Sequence, residues 1–239
     1  MTTTDLRGVY LTEKDLEFLR YLHAVKVSTY DRIHRDIYSG YKITSAGNRI
    51  RKIHDNGLIE VTHGRLILGG KRLVSLSQKG YNLYLRTGDE LRIELKSDSI
   101  LHDLELNDIR SSMIHCADVV EYKTENQIQT WNDDFRSINS DALVTISRNG
   151  EAFQMPLEYE RSHKKASRYN DLVHRYYGDD GISAMLYIAK DYSIMNKVMD
   201  IERKLYPWEH PKIFYCYIED FLKDHHKRFQ NFNGSSLII

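Results

Sequence analysis

The chain has 239 residues, which leaves room for one large domain or two small ones and excludes a larger multidomain protein. Its hydrophobic residues make up 41% and include 17 Tyr and 7 Phe, which is enough to build a core and excludes intrinsic disorder. Residues 1–5 carry no basic start and no long apolar run follows, so we expect no signal peptide, no spanning helix and a cytoplasmic protein. Cys116 and Cys216 stand alone, which argues against a disulfide framework or a four-cysteine zinc site.

The formal net charge of zero is unevenly distributed along the chain. Residues 1–98 hold 17 basic and 12 acidic side chains, whereas residues 99–239 hold 17 and 22. Between Lys26 and Arg86, 12 basic side chains accompany only 4 acidic ones. Such a surplus is typical of a polyanion-binding surface if the charges share a face, and a solvated surface is the alternative.

The first half of the chain predicts three helices followed by a β-hairpin and a short helix. Apolar residues recur at helical spacing three times, and Asn56-Gly57 then ends the third helix as a left-handed cap. Turn residues separate the strand-like runs that follow. The predicted helices cover residues 12–25, 29–38 and 45–57, the predicted strands 58–61, 65–68 and 71–76, and the short helix begins near Leu76.

The third helix and the hairpin carry the chemistry expected of a DNA-binding surface. Arg and Asn on an exposed helix match guanine and adenine edges in the major groove, and basic hairpin residues neutralise phosphates. The run from Lys42 to Gly80 also resembles winged helix-turn-helix proteins, which implies a DNA-binding domain over residues 1–90. A protein–protein module is the alternative. The predicted DNA-binding residues are Lys42, Ser45, Asn48, Arg49, Arg51, Lys52, Arg65, Lys71 and Arg72.

The second half predicts alternating helices and strands. Their order is a helix, three strands, and then helix, strand, helix and strand, which favours an α/β fold (α+β overall) with a mixed sheet covered on both faces. The predicted helices cover residues 99–115, 165–177 and 193–205, and the predicted strands 119–122, 142–146, 152–159, 182–189 and 213–218. The domain is expected to span residues 99–222, and residues 223–239 to form a mobile tail.

Three carboxylates stand out on the predicted strands. Asp141 begins one strand, and Glu158 and Glu160 end the next, where strand alternation sends both side chains to one face. Adjacent carboxylates repel each other, and a bound Mg²⁺ or Mn²⁺ removes the repulsion and supplies a Lewis acid for phosphodiester cleavage. A chance Glu-x-Glu pattern without a metal is the alternative.

This arrangement of Asp on the second strand and Glu-x-Glu on the third resembles the restriction-endonuclease-like PD-(D/E)xK nucleases. Two residues depart from their usual pattern, since Ser140 takes the place of a proline and Glu160 that of a lysine. Lys164 or Lys165 is a candidate for supplying the missing cation.

Taken together, the two halves resemble the replication-relaxation family, and within it the MobC-type plasmid-mobilisation relaxases. The resemblance rests on the segments LHDLELND, INSDALVTI and MPLEYERS and spans about residues 10 to 220. It implies a metal-dependent nickase that acts on double-stranded DNA at a plasmid transfer origin, with Mg²⁺ or Mn²⁺ as cofactor. It also implies a coupling protein and other relaxosome components as partners, with no membrane and no small-molecule cofactor.

The nucleophile stays open between a metal-activated water and a tyrosine. Tyr169 and Tyr176 lie seven residues apart on one helical face, where a purely structural role in the core is the alternative. His102 and Glu105 on the first helix of this half are candidates for the same cleft, and His102 alternatively holds that helix in place. Three functions remain open, namely a nickase or relaxase, a non-catalytic DNA-binding regulator and a double-strand restriction enzyme.

Overall fold

A computed structural model describes residues 10–64, 69–86, 94–130, 139–207 and 210–239 of the chain. The chain forms two compact units, each described here by itself. Unit 1 comprises residues 1–108 together with 129–132, and unit 2 comprises residues 109–128 together with 133–239. The change of unit therefore falls inside a helix rather than in the stretch before Ser99 where the sequence predicts it.

Unit 1 combines short helices with a three-stranded antiparallel sheet. Its strands are ordered β1-β3-β2, and the pairing of β2 with β3 runs from Ile59–Leu76 to His63–Arg72. The predicted sequence of three helices, a hairpin and a helix is found, while the predicted strand at 65–68 lies outside the described residues. The elements are α1 (Glu13–Val25), β1 (Ser28–Thr29), α2 (Tyr30–Asp36), α3 (Ile43–Asp55), β2 (Ile59–His63), β3 (Arg72–Leu76) and α4 (Gln78–Tyr84).

Local sequence explains where the helices of unit 1 begin and end. At the start of α1, the Thr12 side chain accepts a hydrogen bond from Asp15 N (3.3 Å), and Asp15 accepts one from Thr12 N (2.7 Å), which forms a capping box. After α3, Gly57 takes a φ of +70°, which glycine adopts without a steric penalty. Ile50 and Ile53 of α3 are fully buried and pack into the core that α1 lines.

Unit 2 is built around a seven-stranded mixed sheet ordered β10-β9-β8-β7-β6-β5-β4. β4, β5 and β6 pair antiparallel, β6, β7 and β8 pair parallel, and β9 and β10 add an antiparallel hairpin. The predicted mixed α/β architecture is confirmed at this level. The elements are α5 (Ile100–Met113), which spans the two units, β4 (Val119–Thr124), α6 (Glu125–Thr130), β5 (Ala142–Arg148), β6 (Glu151–Glu160), α7 (Ala166–Tyr177), β7 (Met185–Ala189), α8 (Tyr192–Leu205), β8 (Ile213–Tyr217), α9 (Ile218–Lys223), β9 (Arg228–Gln230) and β10 (Ser236–Ile238).

The parallel strands form the centre of unit 2. Every residue of β7 is buried, as its continuous apolar sequence predicts, and α7 and α8 pack together on one face of it. Since the three strands run in the same direction, their carboxyl ends meet at one edge of the sheet. At that edge Glu160, Ala189 and Tyr217 lie side by side in register.

The expectation of a mobile tail after residue 222 is wrong. β9 and β10 form a hairpin that extends the sheet beyond β8, and Phe229 and Ile239 are buried there. The buried Lys227 ammonium donates to the carbonyl oxygens of Phe221 (2.7 Å) and Asp224 (2.5 Å). These strands are three residues long, so their local sequence carries little signal, and contacts with distant residues order them: the pairing with β8, the burial of Phe229 and the hydrogen bonds of Lys227.

Candidate functional site

The three predicted carboxylates lie on two neighbouring strands of unit 2. Asp141 directly precedes β5, and because Ala142 pairs with Leu157, Asp141 lies across from Glu158 on β6. The backbone N–H of Tyr159 donates to Asp141 Oδ2 at 2.7 Å and fixes this carboxylate at the start of the strand. Glu158 and Glu160 flank the buried Tyr159, and α7 packs on the face to which they point, since Tyr176 of that helix contacts Glu158.

Glu158 carries the most perturbed carboxyl group of this site. Burial and the negative charge of Asp141 raise the pKa of Glu158 to about 8, although the Tyr176 hydroxyl donates to Oε1 at 2.5 Å and so favours the charged form. Its surroundings therefore favour the protonated form of this carboxyl group. A cation that binds here competes with that proton, so binding is stronger at higher pH.

Glu160 is held by its own neighbours in the chain. Its Oε1 accepts a hydrogen bond from Ser162 N (3.3 Å) and lies 3.6 Å from Lys164 Nζ. Of the two predicted lysines, Lys164 therefore contacts the acidic group, whereas Lys165 is exposed at the start of α7. A lysine four residues after Glu160 brings a cation next to the carboxylates.

The two tyrosines considered as nucleophiles are core residues. Tyr169 and Tyr176 are 1% and 0% exposed, and both hydroxyls are engaged. The Tyr169 hydroxyl accepts from Lys164 N (2.9 Å), and that of Tyr176 donates to Glu158. Burial and the charge of Glu158 raise the pKa of Tyr176 well above its usual value, so its nucleophilic phenolate form is disfavoured. The structure therefore supports a structural role in the core for both tyrosines, which was the alternative to a role as nucleophile.

Tyr187 is a residue of this site that the sequence analysis missed. It lies on β7 in register with Glu158 and is completely buried. Among the described residues its hydroxyl finds no hydrogen-bond partner, while burial and then the charge of Glu160 raise its pKa. An unpaired buried hydroxyl costs about 1–3 kcal/mol, so this position is one where the chain tolerates a loss of stability beside the carboxylates. The only signal in the sequence is one Tyr in the otherwise aliphatic run of β7.

The donors at this site suit a hard divalent cation, but the free protein does not hold them in a preformed cage. Within the described ranges, no group of three or more His, Cys, Asp or Glu side chains is arranged to hold a metal ion. Carboxylate oxygens are nevertheless the ligands that Mg²⁺ and Mn²⁺ prefer. Metal binding requires Glu158 to lose its proton and Glu160 to leave Lys164.

His102 and Glu105 lie on the part of α5 that belongs to unit 1, whereas the three carboxylates belong to unit 2. His102 Nδ1 lies 3.5 Å from Asp103 Oδ1, at the limit of a hydrogen bond. Their participation in the acidic site stays a prediction.

The predicted DNA-binding residues at α3 are exposed to solvent, as expected, with one exception. The expectation that Arg49 projects into solvent is wrong, because its guanidinium forms a two-pronged ion pair with the buried carboxylate of Asp15, with Nε to Oδ1 at 2.7 Å and Nη2 on Oδ2. Arg49 Nη2 also donates to the carbonyl oxygen of Tyr10 (3.0 Å). Arg49 therefore ties α3 to α1. The other predicted residues at this helix are exposed, namely Lys42, Ser45, Asn48, Arg51 and Lys52.

The basic residues of the hairpin contact α2. Lys71 Nζ lies 3.2 Å from Asp31 Oδ2, and the Arg72 guanidinium lies 5.8 Å from the centre of the Tyr30 ring. Both basic side chains are exposed, and an exposed ion pair of this kind is weak, so their charges remain accessible to a phosphate. Arg65, the third predicted hairpin residue, lies outside the described residues.

A comparison of the chain with models of protein families finds no match, and neither do comparisons with curated proteins and with solved structures. In the part of the chain that the structure describes, every helix is too short or too polar to cross a bilayer.

Proposed function

We propose that this chain is a divalent-metal-dependent DNA nickase, a relaxase of the kind implied by its resemblance to the replication-relaxation family. The observation that carries the proposal is the position of Asp141 across from Glu158, with Glu160 two residues further along the same strand. Burial and the charge of Asp141 raise the pKa of Glu158, and a buried carboxylate beside another one costs free energy unless a cation joins them. Such a cost is typical of functional sites rather than of structural ones.

The proposed site assigns separate roles to the residues. Asp141, Glu158 and Glu160 hold Mg²⁺ or Mn²⁺, which when bound stabilises charge on the scissile phosphate and lowers the pKa of a water. Glu158 gives up its proton as the site is loaded, and Lys164, released from Glu160, faces the phosphate. Since Tyr169 and Tyr176 are buried and bonded, water is the proposed nucleophile.

The element order of unit 2 supports a restriction-endonuclease-like domain. Three antiparallel strands, with the short helix α6 between the first two, are followed by a helix and a parallel strand; Asp141 lies at the second of these strands and Glu158 and Glu160 on the third. This is the arrangement on which the sequence resemblance rests.

In the proposed function, unit 1 recognises the DNA as a winged helix-turn-helix domain. Three helices and an antiparallel hairpin support that assignment, and α3 offers an exposed Asn48, Arg51 and Lys52 to the major groove. The hairpin residues Lys71 and Arg72 are placed to contact phosphates. A plasmid transfer origin is the proposed DNA, and a coupling protein and other relaxosome components are the proposed partners.

The test is a nicking assay on a supercoiled plasmid that carries its own transfer origin, with Mg²⁺ or Mn²⁺. We expect an open-circular product that Asp141→Asn and Glu158→Gln abolish. Glu151→Gln is the matched control, because Glu151 lies on the same strand but is exposed at its other end. A linear product indicates a double-strand restriction enzyme instead. Supercoiled DNA that stays uncut by the wild-type protein refutes the nickase.

A second candidate is a non-catalytic DNA-binding regulator that retains the same frame. It is favoured by the contacts of Glu160, because Lys164 and Ser162 already bind the carboxylate oxygen that a metal ion would need. Tight and specific binding to the origin, with no cleavage in either metal and no effect of Asp141→Asn on binding, supports this alternative. Calorimetric binding of Mn²⁺ that Asp141→Asn abolishes argues against it.

A further inference from the structure

An open cavity of about 330 Å³ lies in unit 2 beside α8, at the β8 side of the sheet. The rings of Tyr192 and Tyr217 stack there, with their centroids 4.4 Å apart and their planes inclined by 29°. Tyr192 is 51% exposed, whereas Met195 and Met199 contribute apolar surface to the lining. The cavity thus joins an accessible aromatic ring with an apolar wall, which suits a flat aromatic ligand.

The polar lining of this cavity favours a ligand that donates hydrogen bonds. The Tyr192 hydroxyl donates to Asp220 Oδ2 at 2.6 Å, which holds both the ring and the carboxylate in place. Asp224 adds a second carboxylate, and Arg228 supplies a single positive charge. Two negative charges against one positive charge disfavour a phosphate and favour neutral N–H groups.

The cavity lies at the same edge of the sheet as the acidic site. Glu160, Ala189 and Tyr217 are consecutive neighbours in register across β6, β7 and β8. Adjacent strands are about 4.8 Å apart, so the backbones at Glu160 and Tyr217 are separated by about 10 Å. A strand of DNA with a phosphate at the carboxylates therefore has a nearby base within reach of the cavity.

We propose that the cavity binds one unpaired guanine of the DNA strand, stacked on Tyr192 and with its N–H edge turned to Asp220. Guanine carries a ring N–H and an amino group on the same edge, which match the two oxygens of a carboxylate, and the exposed ring supplies the stacking surface used for unpaired bases. This assignment rests on the proposed function, because it places the base next to the scissile phosphate. It gives the chain a preference for a local sequence on the single strand, apart from any duplex recognition by unit 1.

The test uses the full chain in EDTA, so that no cleavage occurs, and two short single-stranded DNAs. One carries guanine at a single position and measures affinity; the other carries 2-aminopurine there, which keeps the amino group but lacks the ring N–H of guanine and therefore reports stacking alone. Stacking quenches the fluorescence of 2-aminopurine. We expect Tyr192→Ala to abolish the quenching and to weaken binding about tenfold, as for the loss of one stacked base. Tyr192→Phe keeps the ring and should quench like the wild type.

Asp220→Asn should reduce the preference for the guanine oligonucleotide over one with cytosine at that position. The matched control is Phe153→Ala, because Phe153 is another partly exposed aromatic residue of unit 2, at the start of β6.

Equal quenching by Tyr192→Ala and Phe153→Ala overturns the proposal, and so does equal affinity for guanine and cytosine oligonucleotides. Competition by N-acetylarginine amide, with no quenching by the wild type, assigns the cavity to a basic side chain of a protein partner and also overturns it. Because these measurements need no metal, Tyr192-dependent quenching without nicking refutes the nickase and leaves the base site standing. Nicking without Tyr192-dependent quenching refutes the base site and leaves the nickase standing.

Discussion

Replacing Arg49 by alanine should destabilise the folded protein, whereas the same change at Arg51, two residues further along α3, should weaken DNA binding alone. Arg49 donates twice to the buried Asp15, and Arg51 is exposed. Removing one partner of a fully buried ion pair costs about 3–5 kcal/mol, because the remaining charge is left in a poor solvent. Here Asp15 is buried, but the Arg49 side chain is 25% exposed, which lowers the expected cost. Asp15 keeps its bonds from the N–H and the hydroxyl of Thr12, both 2.7 Å, so we expect the lower end, about 3 kcal/mol. Arg51→Ala should change the free energy of unfolding by less than about 0.5 kcal/mol.

The stability cost of Arg49→Ala should also depend on pH, and the pKa of Asp15 sets the direction. Burial raises the pKa of Asp15, but the hydrogen bonds from Arg49 and Thr12 outweigh burial and lower it below 3.8. A lowered carboxyl pKa stabilises the folded state above the unfolded pKa, and that contribution is lost as the pH falls through the folded pKa. The cost of Arg49→Ala should therefore be full at pH 7 and smaller at acid pH, because loss of the Arg49 hydrogen bonds raises the pKa of Asp15 in the variant.

Urea denaturation of the wild type, Arg49→Ala and Arg51→Ala at pH 7 and at acid pH measures these differences. Binding to origin DNA and to random DNA is measured on the same samples at a temperature where all are folded. If Arg49→Ala and Arg51→Ala prove equally stable at pH 7, the assignment of Arg49 as a tie between α1 and α3 is refuted. If Arg49→Ala is fully stable and loses only specific DNA binding, Arg49 contacts a base after all.

Three further predictions concern unit 2. In metal-free buffer the free energy of unfolding of the wild type should fall as the pH rises from 5 towards 7, because the raised pKa of Glu158 keeps a proton bound in the folded state alone, and Glu158→Gln should remove this fall. Parallel urea profiles for wild type and variant contradict the prediction. Burial raises the pKa of Cys216 to about 12, so its thiol should react with a disulfide reagent at pH 7.5 only after unfolding, and rapid labelling of the native chain contradicts the buried position. Phe229→Ala should lower the free energy of unfolding by about 3–5 kcal/mol, because Phe229 is buried, whereas the exposed control His226→Ala should lower it by less than about 0.5 kcal/mol. A negligible loss of stability in Phe229→Ala would support the original expectation that this segment is a mobile tail.

Much of the fold could be predicted from local sequence. The apolar stripe of α3 and the glycine that follows it, as well as the continuous apolar run of β7, depend on neighbours within a few residues. Such signals survive in any tertiary context, because helical and strand periodicity are properties of the backbone. The placement of Asp141, Glu158 and Glu160 on adjacent strands follows from the same periodicity once the strands are assigned.

Contacts between residues far apart in sequence could not be predicted in this way. Asp15 and Arg49 are 34 residues apart, and either side chain by itself has the pattern of an exposed residue on a helix. The same holds for the polar hairpin after residue 223, which is ordered by pairing with β8 rather than by its own propensity.

The sequence by itself determined the main helices and strands up to β8, the basic character of the first half and the pair of strands that carries the acids. Only the tertiary structure decided the protonation of Glu158, the engagement of Lys164 and the unpaired hydroxyl of Tyr187. The physical reason is that periodicity is a local property of the backbone. A pKa, an ion pair and an unsatisfied hydrogen bond depend on burial and on charges that several distant segments bring together.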